Sequence, residues 1–249
     1  MEERITSRKN PLVQQTRKLL MSRKTRRELG LFVSDGTKLL EEAVRHCQGL
    51  DTVFLSDGVE AQVPENCRVI RVSREVMEAI SPMETPQGAV FLCRLPQEVP
   101  FQPEKGMLLL DGIQDPGNLG TILRTADAWN VKVALLEGCA DPFSHKVVRS
   151  SMGAVFRRDV AVTTWDQARA ALQDAGIPVA VTALNAQARD IRSASVGTMA
   201  VVIGSEGQGV RQEILQAADE ALIIPMNPHC ESLNAAVAAT AVMWQMGKI

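Results

Sequence analysis

The apolar positions of residues 1–95 alternate between short continuous runs and stretches with helical spacing. Asn10 followed by Pro11 predicts the start of a helix, because asparagine caps free backbone amides and proline fits the first helical position. The runs LFVSDG, DTVFLSD, CRVIRVS and GAVFLCRL predict strands, and TKLLEEAVRHC and REVMEAIS predict helices. The helix from residue 11 is expected to bury Leu12, Val13, Thr16, Leu19 and Leu20. Residues 1–95 are therefore predicted to form a small α/β domain.

The remainder of the chain repeats short runs rich in valine, isoleucine and leucine. MLLLD, VKVALLEG, RDVAV, PVAVTAL, MAVVIG and EALIIPM have the pattern of strands, and TWDQARAALQDAG and VRQEILQAA have that of helices. Apolar strands that alternate with helices predict a parallel sheet with helices on both faces. PQEVPFQPEKG, residues 96–106, has three prolines and no periodicity, which indicates a linker. The predicted division is thus 1–95, a linker over 96–106, and a second α/β domain over 107–249.

Composition excludes several classes of protein. The chain has 249 residues, 45% of them hydrophobic and 22% charged, as in ordinary globular proteins. No apolar run reaches the ~18–20 residues of a membrane span, and the first residues lack the apolar stretch of a secretory signal. Five cysteines stand far apart without a CxxC pair, which argues against a metal site or a disulfide framework. We expect reduced thiols and a cytoplasmic location, with neither membrane nor metal as partner.

Positive charge is concentrated near the N-terminus. Residues 1–30 contain nine lysines and arginines and three glutamates, although the whole chain has a net charge of −2. A basic segment on an acidic chain is typical of contact with a polyanion, because each phosphate that is neutralised releases counterions. A solvated basic arm would have the same composition, so charge alone leaves both interpretations open. The candidates for phosphate contact are Arg8, Lys9, Arg17, Lys18, Arg23 and Lys24.

Three segments with unusual polar content follow predicted strands, at the edge where parallel sheets bind ligands. The first is DGIQDPGNLGTILRTADAWNV, residues 111–131. Its Asp-Pro-Gly-Asn sequence predicts a turn and a helix cap. The helix that follows has a buried stripe of Leu119, Ile122, Leu123 and Ala126. Arg124 lies at the edge of this stripe, as either a surface arginine or a clamp for an anion.

The second segment is VVIGSEGQGV, residues 201–210. Gly204, Gly207 and Gly209 remove side chains where the backbone leaves a strand, which permits the close approach of a ligand. The spacing differs from the GxGxxG fingerprint of dinucleotide-binding folds, and Glu206 would repel a pyrophosphate. This argues against a nucleotide-dependent oxidoreductase, and leaves a plain turn or a site for another ligand.

The third segment is IIPMNPHCESLNAAVAATAVMW, residues 223–244. The strand should break at Pro225 and Pro228, and a helix should follow with Ser232 as its candidate N-cap. Leu233, Ala236, Val237, Thr240, Val242, Met243 and Trp244 are expected to be mostly buried. Asn234 is a poor helix former in an alanine-rich helix, so we expect its side chain to have a polar partner, for example in another loop.

In this order and at this spacing, the three segments resemble the motifs of the SpoU (TrmH-like) RNA ribose 2′-O-methyltransferases of the SPOUT superfamily. The resemblance covers Met107–Lys248 and includes KVVRSSMGAVFRRDV, residues 146–160. The N-terminal part is similar to the L30e-like substrate domain of family members that modify rRNA. TPQGAV, residues 85–90, fits that domain, whereas VSDG at residues 33–36 stands where the family has Val-Glu-Gly.

The resemblance implies a fold and a cofactor. The fold would be a SPOUT-type parallel sheet with a deep trefoil knot at its C-terminal end, a feature nearly absent from other proteins. The cofactor would be S-adenosylmethionine, bent within the knot and held mainly by backbone groups. The positions that correspond to the cofactor site are Gly204, Ser205, Ile224, Met226 and Leu233.

The polar catalytic positions of the family correspond to Asn118, Arg124, Glu206, Ser232 and Asn234. Methyl transfer to a ribose hydroxyl needs a group that accepts the hydroxyl proton. The family points to Arg124, but an arginine is effectively always protonated. We therefore expect Arg124 to bind the substrate phosphate or stabilise the developing alkoxide, with Asn118 orienting it. The family assigns no role to His229, although it lies in the third segment.

The chemistry selects RNA as the partner, because only RNA carries the acceptor hydroxyl. The sizeable N-terminal domain favours rRNA over tRNA, and the family implies a homodimer with the site built across its interface. One alternative is the same reaction on tRNA. A second is a non-catalytic RNA- or ribosome-binding protein on the same fold, although the intact polar positions speak against it.

Overall fold

The computed structural model describes residues 3–184, 187–227 and 229–247. The chain forms two compact units. The first contains the residues up to Gln97 together with Asp141–Arg157, and the second contains Glu98–Ala140 together with the residues from Arg158 onward. Residues 95–106, which contain the predicted linker, form neither helix nor strand, and those from Glu98 onward belong to the second unit. The sequence-based division did not anticipate that Asp141–Arg157 would pack with the N-terminal residues.

The first unit is a five-stranded sheet with helices. Its elements, numbered along the whole chain, are β1 (Glu3–Ile5), α1 (Pro11–Met21), α2 (Arg23–Leu29), β2 (Leu31–Asp35), α3 (Thr37–His46), β3 (Leu50–Ser56), β4 (Arg68–Val72), α4 (Arg74–Ile80), β5 (Ala89–Arg94), α6 (His145–Ser150) and α7 (Ala154–Arg157). The strand order is β1-β4-β3-β5-β2. The pairs β1–β4 and β4–β3 are parallel, whereas β5 is antiparallel to both of its neighbours.

The basic N-terminal segment forms two helices instead of the single helix predicted. Ser22 has an extended backbone that ends α1, and its hydroxyl accepts a hydrogen bond from the Thr25 amide at 3.1 Å. A serine that caps the next helix competes with continuation of the first, and hydrophobic spacing cannot reveal this. The predicted phosphate contacts nevertheless all lie on the surface: Arg8, Lys9, Arg17, Lys18, Arg23 and Lys24 are exposed.

The segment Asp141–Arg157 packs into the first unit through ion pairs and an aromatic cluster, and the most buried of these ion pairs joins Arg26 to Asp141. Arg26 is only 5% exposed, and its Nε and Nη2 donate to Asp141 Oδ2 at 2.9 and 2.6 Å. Its Nη1 donates to the Leu19 carbonyl at 2.6 Å. The Phe143 ring is tilted against that of Phe32 with centroids 5.2 Å apart, and the Phe156 ring stacks on Phe32 with centroids 6.2 Å apart. These ring contacts, together with the ion pairs, hold the segment to the first unit.

The second unit is a seven-stranded sheet in which every neighbouring pair is parallel. Its elements are β6 (Met107–Asp111), α5 (Pro116–Ala128), β7 (Val133–Leu135), β8 (Ala161–Val162), α8 (Trp165–Asp174), β9 (Val179–Thr182), β10 (Arg189–Asp190), β11 (Ala200–Gly204), α9 (Gln212–Ala217), β12 (Glu220–Ile223) and α10 (Ala235–Met246). The strand order is β10-β12-β9-β11-β6-β7-β8. The predicted α/β class with a parallel sheet is confirmed.

Helices cover both faces of this sheet because its strands are apolar on both sides. Met107, Leu109 and Val202 face one core, which also contains residues of α8 and α9 such as Leu172 and Ile214. The alternate residues of β6 and β11 are equally buried: Leu108, Leu110, Val201 and Ile203. Helix α10 packs on β11 and on α5, so these two helices cover the second face.

Helix α10 is less buried than predicted. Ala236, Val242 and Met243 lie in the core as expected, whereas Val237 and Trp244 are 54% and 65% exposed. The helix is apolar all round, so its sequence gives no indication of which face meets the sheet. The Trp244 ring instead lies 5.7 Å from that of Trp129, at the end of α5. Among the described residues, no helix is both long and apolar enough to cross a bilayer.

The buried ion pair of the first unit gives a direct test of its packing. Arg26→Met should lower the free energy of unfolding by about 3–5 kcal/mol, because it leaves the carboxylate of Asp141 poorly exposed and without its cation. Urea denaturation of the full chain measures this loss. The matched control is Arg27→Met, at the exposed neighbouring position, which should change stability by less than about 0.5 kcal/mol. Equal losses in the two variants would contradict this view of the packing.

Candidate active site

The second predicted segment forms a tight loop at the end of β11. Ser205 and Gly209 exchange two backbone hydrogen bonds of 3.2 and 2.9 Å, so Glu206, Gly207 and Gln208 stand at the tip of the loop. Gly209 has a φ of +67°. A Cβ on Gly204 would overlap the Gly209 carbonyl group and the Val210 amide. Glycine is therefore required at position 204 because one backbone lies directly against another.

The first segment starts α5 so that Asn118 lies in its first turn. The carboxylate of Asp115 caps the helix by accepting a hydrogen bond from the Asn118 amide at 2.8 Å, and Pro116 is the first helical residue. The side chain of Asn118 connects two other segments. Its Nδ2 donates to Oε1 of Glu206, and its Oδ1 accepts from Nδ2 of Asn234 at 3.0 Å.

The third segment ends in a helix that Asn234 caps, so the expectation that Ser232 would be the N-cap is wrong. Oδ1 of Asn234 accepts hydrogen bonds from the amides of Ala236 and Val237 at 2.9 and 3.3 Å. Serine and asparagine are both good N-caps, so the sequence alone does not show whether Ser232 or Asn234 caps this helix. The expected polar partner of Asn234 is present as Asn118. The break after β12 precedes Pro225, and the break predicted at Pro228 lies outside the described residues.

A cavity of about 770 Å³ opens beside these segments, within the second unit. All five predicted cofactor positions line it: Gly204, Ser205, Ile224, Met226 and Leu233. Glu206 and Ser232 also line it, whereas Asn118 and Asn234 stand beside it through their hydrogen bonds to Glu206 and to each other. A volume of this size suits a ligand as large as a nucleoside derivative.

The lining of the cavity fits S-adenosylmethionine. Its walls combine apolar side chains with backbone left bare by glycine, which suits an adenosyl group held by main-chain contacts. The cofactor carries a net positive charge, and the charged side chains among the lining residues are the carboxylates of Glu206 and Glu231. Sequence reasoning did not single out Glu231, which precedes Ser232 in the third segment.

Arg124 is not brought to the cavity within one chain. It is exposed, it does not line the cavity, and it has no polar partner among the described residues. It lies six residues after Asn118, so it is displaced by about 9 Å along α5 and points about 120° away around the helix. His229 is exposed and does not line the cavity either.

A charged pair that sequence reasoning missed supports the loop of Glu206. Asp111, 1% exposed at the end of β6, accepts hydrogen bonds from the backbone amide and Nε of Arg211 at 2.8 and 2.7 Å. Arg211 also donates to Glu137 at 2.9 Å. Partial burial lowers the pKa of Arg211, but the hydrogen bonds to these carboxylates outweigh it and raise that pKa overall. The sequence signal for this pair is Asp111 itself, because a charged residue at the end of an otherwise apolar strand needs a partner.

Within the part of the chain that the structure describes, no group of three or more His, Cys, Asp or Glu side chains is placed to hold a metal ion. All five cysteines are free thiols. Cys139, eight residues after the first segment, has its pKa raised to about 11, chiefly by burial. It is therefore a poor nucleophile at neutral pH.

Comparison with known proteins identifies the family. The sequence model of the SpoU rRNA methylase family matches residues 105–244, which contain all three segments. The chain belongs to the SpoU rRNA methylase family. A second model, of the MRM3-like substrate binding domain, matches residues 10–90. This SpoU protein therefore combines the family's catalytic domain with a substrate-binding type of N-terminal domain.

Individual relatives extend the similarity over the whole chain. The Bacillus subtilis protein named 23S rRNA (guanosine(2553)-2′-O)-methyltransferase RlmP is 32% identical over 98% of this chain and 99% of its own. The crystal structure of an AdoMet-bound rRNA methyltransferase from Sinorhizobium meliloti superposes with a TM-score of 0.85 and 28% identity, covering 98% and 97% of the two chains. A structure described as an RNA 2′-O ribose methyltransferase gives a TM-score of 0.82 with the same identity and coverage.

The contact at Gly204 generates a prediction for this SpoU site. Gly204→Ala should destabilise the chain by about 2 kcal/mol, because its methyl group has only backbone to displace. We also expect calorimetry to show at least about a tenfold lower affinity for S-adenosylmethionine. A loss of only about 1.4 kcal/mol of binding free energy, caused by the shifted backbone, is enough for a tenfold change.

The control is Gly207→Ala in the same loop, where an added Cβ meets nothing within 4 Å. This variant should unfold within about 0.5 kcal/mol of the parent protein. Equal stability and equal cofactor affinity in the two variants would show that the close approach at Gly204 has no role in the site.

Proposed function

We propose that this chain methylates a ribose 2′-hydroxyl in large-subunit rRNA. The reaction class follows from its family: the chain is an S-adenosylmethionine-dependent RNA 2′-O-methyltransferase. The observation that carries the choice of rRNA is the match to the B. subtilis 23S rRNA enzyme over nearly the full length of both chains. That match includes the N-terminal unit, where recognition of the RNA is expected to reside.

The hydrogen-bonded side chains of Asn234, Asn118 and Glu206 beside the cavity are proposed to prepare the ribose 2′-hydroxyl for attack on the methyl group. S-adenosylmethionine, when bound, supplies a methyl group on a positively charged sulfonium. The carboxylate of Glu206 lines the cavity and is proposed to accept the ribose 2′-hydroxyl proton as the new O–CH₃ bond forms. Asn118 donates to that carboxylate, and Asn234 donates to Asn118, so each amide fixes the orientation of the next group. Ser232 lines the cavity and is proposed to contact substrate or cofactor.

The main contribution of this site is then positioning, because the reaction is an in-line displacement between two held reactants. Effective molarity in such cases is worth about 7–11 kcal/mol of the barrier. Asn118 and Asn234 stand at the N-terminal ends of α5 and α10, on ordered backbone instead of mobile loops. This placement supports a pre-organised site.

We propose that the chain forms a homodimer and that Arg124 acts in a site to which both copies contribute. An exposed arginine without a polar partner among the described residues of its own chain is available for a phosphate or for a developing alkoxide in a site completed by a second copy. The exposed side chains of Val237 and Trp244, with Trp129 beside the latter, give α10 and α5 an apolar surface suited to that copy.

The N-terminal cations are proposed to bind RNA phosphates. The MRM3-like substrate binding domain match, residues 10–90, includes four of the six. Lys9, Arg17, Lys18 and Arg23 form no ion pair among the described residues, whereas Arg8 and Lys24 each lie 3.8 Å from a glutamate, Glu78 and Glu28 respectively. The first four are therefore the better candidates, because they lose no existing partner on binding.

We also propose that the second unit is knotted and that the protein works in the cytoplasm. The deep trefoil knot is supported by β11 lying between β6 and β9 in the sheet, and by the backbone-on-backbone packing at Gly204. A reducing cytoplasm as the compartment is supported by the free cysteines.

Arg124→Ala tests the role of the exposed arginine. It should lower the single-turnover methylation rate by at least about 10²-fold, on the scale of other transition-state contacts, while the dissociation constant for S-adenosylmethionine changes less than about threefold. Calorimetry and quenched-flow assays provide the two numbers. Arg169→Ala, which removes another exposed arginine of the second unit, is the control and should leave both unchanged. Equal loss of rate and cofactor affinity would make Arg124 a structural residue.

The proposed substrate is tested with purified protein, tritium-labelled S-adenosylmethionine, and separate pools of 23S rRNA, 16S rRNA and tRNA transcripts. We expect one methyl group per 23S rRNA molecule, located by protection of a single phosphodiester from alkaline cleavage. Label in tRNA alone would favour the tRNA alternative. Cofactor binding without label in any pool would favour a non-catalytic RNA-binding protein.

A further inference from the structure

The loop that carries Glu206 is anchored on both sides at the end of β6. On its entry side, Gly204 of β11 is the register partner of Asp111, the last residue of β6. On its exit side, Arg211 reaches back to the same aspartate, with its backbone amide on Oδ2 at 2.8 Å and its Nε on Oδ1 at 2.7 Å. Both oxygens of Asp111 are thus occupied by one residue.

Asp111 is also the starting point of the segment that carries Asn118. The chain passes from β6 through Asp111 into the turn that begins α5 at Pro116, and Asn118 follows in the first turn of that helix. The two groups of the Asn118–Glu206 hydrogen bond therefore leave the sheet from the same place. Their mutual position depends on how firmly the exit of the loop is held to β6.

The ion pair of Arg211 with Asp111 fixes the exit of the loop firmly because the carboxylate of Asp111 is buried. A carboxylate that is 1% exposed is tolerated only when it is paired and hydrogen-bonded. Arg211 supplies both, and it is itself held by Glu137 at 2.9 Å and Glu213 at 3.0 Å. Between the bridge at Gly209 and this ion pair, Val210 is buried in the core, so the loop has little freedom on its exit side.

We propose that Arg211 and Asp111 are positioning residues for methyl transfer, which hold the carboxylate of Glu206 against Asn118. Neither residue lines the cavity, and neither is required to touch substrate. The proposal rests on the proposed role of Glu206 and adds the reason why that side chain stays in place. It predicts that the effect of Arg211 on catalysis passes through Glu206.

A double-mutant cycle on the single-turnover rate tests this dependence, with 23S rRNA and S-adenosylmethionine both saturating. Arg211→Gln and Glu206→Gln should each lower the rate on the order of 10²-fold, the scale of a misplaced catalytic group. In the Glu206→Gln background, Arg211→Gln should cost less than about threefold, because the group that it positions is already gone. Arg189→Gln, which breaks a surface ion pair elsewhere in the unit, is the control and should leave the rate unchanged.

Folding is separated from positioning by a second pair of variants. Arg211→Gln alone leaves a buried charge and should lower the melting temperature. Asp111→Asn in the Arg211→Gln background removes that charge and should recover most of the melting temperature while the rate stays low. Recovery of the rate along with the melting temperature would overturn positioning in favour of a purely structural role.

Three other outcomes distinguish failure of the positioning proposal from failure of the proposed function. If Glu206→Gln slows the reaction and Arg211→Gln lowers the rate by the same factor in both backgrounds, the positioning proposal fails and the proposed function stands. If Glu206→Gln has no effect on the rate, both the proton-accepting role of Glu206 and the positioning that depends on it fail. If the parent protein transfers no methyl group to any RNA, the proposed function itself fails.

Discussion

The parallel pairing of β6 with β11 is the constraint on which the candidate site depends. It fixes Gly204 beside Asp111, and the carboxyl ends of β6, β11 and β12 then deliver the three polar segments to one edge of the sheet. The close approach of the Gly209–Val210 backbone to Gly204 closes the loop of the second segment. Any side chain at position 204 would separate these two backbones and displace the wall of the cavity.

Polar side chains at this edge each satisfy two requirements, so the site and the stability of the helices are linked. Asn234 caps α10 through its oxygen and donates to Asn118 through its nitrogen. Asn118 in turn lies in the first turn of α5, which Asp115 caps. The helix ends thereby fix Asn234 and Asn118, and Asn118 in turn holds Glu206 of the loop after β11. Organisation of this kind suits methyl transfer, in which correct alignment of the reactants supplies much of the acceleration.

Much of this organisation could be predicted from the sequence. Runs such as MLLLD and MAVVIG gave the strands of the sheet, and the strand-then-turn order gave the three segments at one edge, whereas the family resemblance pointed to Gly204, Ile224 and Leu233, which line the cavity. The unusual position of Asn234 correctly indicated a polar partner, which is Asn118 in the first turn of α5. These successes share a cause: parallel strands carry their own periodicity, and their carboxyl ends must meet at one edge.

Most of the failures share a cause as well, because they depended on a choice between equivalent local options. Ser232 and Asn234 are both good caps, and Ser22 could continue one helix or begin the next. Helix α10 is apolar on every side, so Val237 and Trp244 gave no sign of their exposure. The pair of Asp111 and Arg211 is 100 residues apart in the chain, and only the three-dimensional fold brings it together.

Amide hydrogen exchange of the full chain, measured by mass spectrometry with and without S-adenosylmethionine, tests the central claim most directly. Ligand binding to a local site slows exchange in the segments that contact it. We expect added protection in peptides that cover residues 201–210 and 222–235, with the five-stranded sheet of the first unit unaffected. Protection confined to that sheet, or unchanged exchange at 201–210 with the cofactor bound, would contradict the placement of the site at the end of β11.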